Sequence, residues 1–84
     1  MERMEVNEMT DIIMMQNGRA KHLFSIFSKV KISLKDPVIK AAIADIEYNK
    51  NYFAPFFDLS KSFTIVVNDP NSGREELEVE GFKE

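Results

Sequence analysis

The side chains able to do acid–base or nucleophilic work are few. The chain has one histidine, His22, set among Arg19 and Lys21. A lone imidazole needs a second group in a pocket before it acts as a general base, and no candidate is apparent in the sequence. The absence of cysteine removes disulfides, thiolate metal sites, iron–sulfur clusters and a thiol nucleophile. No serine sits in a nucleophile-elbow pattern, and the three glycines at 18, 73 and 81 are too scattered for a phosphate-cradling loop. Asp69-x-Asn71-x-Gly73, followed by Glu75 and Glu76, has the alternating oxygens of a calcium loop. It lacks the later glutamate and contains Pro70, and a type I turn accounts for each of its residues. The expectation is a protein without catalytic residues, cofactor or metal.

Charge is the stronger signal. Residues 1–11 carry one Arg against four acids, residues 12–50 seven Lys/Arg against three acids, and residues 51–84 three Lys/Arg against seven acids. A basic middle between acidic ends either neutralises its own flanks or faces an acidic partner. Arg19, Lys21, Lys29, Lys31 and Lys35 form the candidate strip for nucleic-acid phosphates, kept as the alternative function. The net charge of -3 and the lack of a helix-turn-helix or RNA-binding signature weigh against it. Glu76, Glu78 and Glu80 alternate with Leu77 and Val79 and mark an acidic face for a protein partner, or a solvated edge.

The elements expected to carry these residues are two helices and a hairpin. Val6, Met9, Ile13, Gln16, Ala20, Leu23, Phe27 and Val30 recur every three or four residues, which predicts an amphipathic helix over about 5–31. Asn17-Gly18 interrupts it, at a cost of about 1 kcal/mol for a mid-helix glycine. A second helix over about 37–53 begins at Asp36-Pro37, a capping residue followed by proline at the first helical position, and ends before Pro55. The short link between them predicts an antiparallel pair. Period-two alternation at 62–68 and 75–82 around Asp69-Pro70-Asn71-Ser72-Gly73 predicts a β-hairpin. The expected fold is one small α+β domain over residues 1–84, with two antiparallel N-terminal helices packed on a C-terminal hairpin.

On that plan the chain has more apolar surface than one copy hides. Ile12-Ile13-Met14-Met15 is apolar most of the way round a helix, and Tyr48 and Tyr52 gather with Ala41 and Ala44 away from Ile39, Ile43 and Ile46. Met14, Met15, Tyr48 and Tyr52 are therefore the expected self-association residues. The aromatic run from Tyr52 to Leu59 is expected to plug the corner between helix and hairpin. With 44% hydrophobic residues the chain folds rather than stays disordered, and no apolar run is long enough to span a membrane. The acidic start lacks a signal-peptide pattern, so a cytoplasmic location is expected. The functional expectation is a non-catalytic interaction module, a small homodimeric regulator or inhibitor of a macromolecular partner.

Overall fold

A computed structural model describes residues 8–28, 32–69 and 73–83. Six elements follow one another: β1 (Glu8–Gln16), β2 (Arg19–Ser28), α1 (Pro37–Tyr48), α2 (Lys50–Phe53), β3 (Phe63–Asp69) and β4 (Gly73–Val79). The strands form one antiparallel sheet in the order β2-β1-β3-β4, with the two short helices crossing between β2 and β3. The expected plan of two N-terminal helices on a hairpin is wrong. The predicted helix over 5–31 is a pair of strands; its residues 5–7 and 29–31 lie outside the described part.

The reason is Asn17-Gly18. Both residues have positive φ, 51° and 80°, and they join Gln16 directly to Arg19 as a two-residue loop. Such a turn has the twist that antiparallel strands need, and Asn-Gly supplies it with little strain. The helical stripe was deceptive because Ile12-Ile13-Met14-Met15 is apolar in both parities and satisfies either period. The structure buries Ile12 and Met14 completely and leaves Ile13 and Met15 half-buried, which is the alternation of a strand.

A bulge then sets the faces of β2. Ile12 opposes Phe24, but Ile13 opposes His22, so Leu23 is the extra residue. From the turn alone Asp11 would face Phe24; the insertion places it opposite Ser25 instead. Phe24 and Ile26 are thereby carried to the helix side, where both pack on the core with Leu23.

Helix α1 starts as its sequence dictates. The Val38 amide donates to Asp36 Oδ1 at 3.0 Å, and Pro37 occupies the first turn. It is shorter than expected, because the backbone leaves helical geometry at Asn49 (φ -107°, ψ 38°) before the single turn of α2. Ile39, Ala42 and Ile46 of α1, with Phe53, Phe57 and Leu59 behind it, lie on Ile12, Met14, Phe63, Ile65 and Val67 of the sheet. Strands β3 and β4 form the C-terminal hairpin, but β3 also pairs with β1 and so lies inside a four-stranded sheet. The segment after β4 is pinned by the Phe82 amide on the Leu59 carbonyl at 2.8 Å and by Phe82 against the Phe63 ring. Gly81 passes so close to the Ser60 backbone that a Cβ there would collide with it. Among the described residues no helix is long and apolar enough to cross a membrane.

Candidate interaction surfaces

The helices cover one face of the sheet. Cross-strand register places Met9, Asp11, Ile13 and Met15 of β1 on the other face, beside Phe27, Ser25, His22 and Ala20 of β2. Thr64, Val66 and Asn68 of β3 continue this face, and Arg74, Glu76 and Glu78 of β4 form its rim. The face is not uniformly polar. Phe27 is 61% exposed and Met9, opposite it, 45%. Val66 is buried, although among the described residues no helix lies over it. Arg74 reaches over β3, with Nη2 3.5 Å from Met15 Sδ and 3.1 Å from Glu76 Oε2.

In the middle of this face the bulge assembles a cluster absent from the sequence expectations. Ser25 Oγ donates to Asp11 Oδ1 at 2.7 Å, and His22 Nε2 lies 2.9 Å from Ser25 Oγ and 3.4 Å from Asp11 Oδ1. The Asp11 carboxyl is held below its ordinary range chiefly by the Ser25 hydrogen bond, which outweighs the opposing effect of burial, with a lesser contribution from His22. The types are those of a nucleophilic triad but the order is not. Ser25 spends its proton on Asp11, so Nε2 must donate to Oγ rather than withdraw a proton from it. Both partners also share one ring nitrogen, whereas a relay uses both. The cluster ties β2 to β1 across the open face.

On the helix side, a groove of about 820 Å³ runs beneath the β1–β2 turn and is lined by Asn17, Arg19, Lys50, Asn51, Phe56 and Ser60 among others. Its floor is built by Gln16. The side-chain amide donates to the Asp58 and Ser62 carbonyls at 2.8 and 3.0 Å and accepts the Asp58 amide at 2.8 Å. Asp58 is itself tied to Ser60, whose hydroxyl and backbone amide hold its carboxyl below the usual range. A second groove of about 370 Å³ shares Arg19, Phe56 and Phe57 with the first and extends to Lys21. Lys21 Nζ sits 5.3 Å from the Tyr52 ring centroid.

The residues expected to act together fall apart. Met14 is fully buried and unavailable to any partner, while Met15 is half-buried on the open face. Tyr48 is 89% exposed on the helix side, and the break at Asn49 separates it from Tyr52, which is 58% exposed and edge-on to Phe53. Of the aromatic run, Phe53, Phe57 and Leu59 enter the core, whereas Phe56 stays exposed. Arg19 and Lys21 share β2, near Lys50; Lys35 stands before α1, at the far end of that helix. Lys29 and Lys31 lie outside the described residues. Glu76 and Glu78 belong to the open-face rim, and Glu80 follows β4 as an exposed residue. Among the described residues no group of three or more potential ligands gathers for a metal; Asp69 pairs with Gly73 at the end of the β3–β4 ladder, and the expected turn residues Pro70, Asn71 and Ser72 lie outside the described part.

Neither the family models, nor the curated proteins, nor the solved structures contain a match to this chain.

Proposed function

We propose that this protein is a non-catalytic interaction module that works as a homodimer, with the open sheet face as the contact between copies. The observation that carries this reading is the exposed Met9–Phe27 pair on a sheet that, among the described residues, is covered by helices on one side only. An antiparallel sheet facing water ordinarily alternates to polar residues on that side, and β1 does not. Edge-to-edge association is the weaker route. Strand β2 carries a bulge, Arg19 and Lys21, and β4 carries Glu75, Glu76 and Glu78; these features blunt a sheet edge. Charge selects the geometry of stacking. The Glu76, Glu78 and Glu80 rim would repel its own copy if two whole faces overlapped, while the Met9–Phe27 pair lies in a corner at the opposite side of the face, on β1 and β2. A twofold axis through that corner buries the apolar pair against itself and keeps the acidic rims apart. The rims then remain available to a basic surface of the regulated protein.

The test is multi-angle light scattering at about 10 µM, where a dimer of micromolar affinity is half formed or more. The wild type is expected to weigh well above one chain and to approach twice the chain mass as the concentration rises. Phe27→Glu is expected to weigh one chain, with an unchanged circular dichroism spectrum. A wild-type chain that stays monomeric to about 100 µM overturns the reading.

A further inference from the structure

The open face leaves the basic residues of β2 unexplained. Among the described residues Arg19 makes no ion pair and no side-chain hydrogen bond, yet it stands between two adjoining grooves and forms a wall of both. Lys50 lines the larger groove and Lys21 the smaller, so three cations follow one continuous track. One exposed ring, Phe56, lines both grooves; Tyr52 lies outside them, with the Lys21 ammonium over its face. Asn17 and Asn51 add amide donors and acceptors to the same wall.

We propose that this track binds single-stranded nucleic acid. Cations spaced along a groove follow a phosphate backbone, and an exposed ring beside them takes an unstacked base of any sequence. A purely anionic peptide would use the cations and leave the Phe56 ring idle. A duplex hides its base faces and would not use that ring. The two grooves share Arg19 and Phe56, which suits a strand running through both. Asp58 lines the larger groove with a fixed negative charge, so the phosphates run on the Arg19–Lys21 side of it. The site lies on the helix side of the sheet, opposite the proposed dimer face, and does not depend on it.

The experiment is fluorescence anisotropy with a labelled oligouridylate of about ten nucleotides, within the range one small domain covers. Two phosphate contacts, at Arg19 and Lys21, predict binding that weakens about 7-fold between about 50 and about 200 mM salt. Phe56→Ala is expected to weaken binding about 10-fold at fixed salt without changing the salt slope, because stacking releases no counterions. Arg19→Glu is expected to weaken it and flatten the slope. Both positions are exposed, and light scattering should give both variants the wild-type mass. The proposal is overturned by any of four results: no binding at about 100 µM protein, full affinity in Phe56→Ala, equal binding of a polyglutamate peptide or of duplex RNA, or competition by free uridine monophosphate as effective per mole as the oligonucleotide.

Discussion

Asp11 shows how much a single residue here depends on its cross-strand neighbours. Its carboxylate is stabilised by the Ser25 hydroxyl and by His22, so its pKa in the folded chain lies below the ordinary 3.8. A group of this kind contributes stability above its unfolded pKa and loses it as the pH falls through the folded value. Denaturation midpoints of the wild type should therefore decline below about pH 4, and Asp11→Asn should flatten that decline while leaving stability near neutrality within about 1 kcal/mol, as expected of an exposed pair. Equal acid sensitivity in both proteins would show that the cluster contributes nothing. The sequence named His22 but not its partners. Fourteen positions separate Asp11 from Ser25, and without the strand pairing nothing in their spacing relates them.

At the scale of elements, the bulge is the decisive feature. Leu23 is one residue more than the ladder requires, and it turns Phe24 and Ile26 inward and Ser25 and Phe27 outward. Deleting Leu23 should leave a regular ladder in which Ile12 still opposes Phe24 and Asp11 still opposes Ser25, so both faces of β2 are kept. The expected loss is that of the partly buried Leu23 side chain alone, at most about 3 kcal/mol. Urea denaturation measures it, and a deletion variant that fails to fold would refute this account of the strand. The Asn17-Gly18 turn was legible in principle, since that dipeptide between apolar runs is a strong hairpin signal. It was outweighed by a stripe that an apolar run of both parities satisfied by accident. The start of α1 was readable for the opposite reason: Asp36 and Pro37 act locally, on backbone groups one or two residues away.

For the whole molecule, two substitutions separate core from surface. Met14→Lys would place an ammonium among Ile12, Ile65 and the helix layer, at a site with no exposure, and should abolish cooperative unfolding at ordinary temperatures. Tyr48→Lys, at 89% exposure and away from the open face, should change neither the denaturation midpoint by more than about 0.5 kcal/mol nor the mass in solution. A folded Met14→Lys chain would mean that the sheet–helix core is not as described. The molecule as a whole separates its surfaces. Apolar residues mark one corner of the open face, acids its far rim, and cations with the exposed Phe56 ring the groove on the helix side.

The sequence alone determined what depends on composition and on near neighbours. The absence of thiol chemistry, the segregation of charge, the capped start of α1 and the alternating strands of the last third all follow from residue type and short spacing. Tertiary structure decided the rest. Whether residues 8–28 coil or pair was settled by a partner strand more than thirty positions away, since β1 gains its second neighbour from β3. The faces of β2, the Asp11–His22–Ser25 cluster and the groove around Arg19 and Phe56 then follow from that pairing. A strand cannot satisfy its backbone within itself as a helix can, so its identity and its outward face depend on residues the local sequence does not contain.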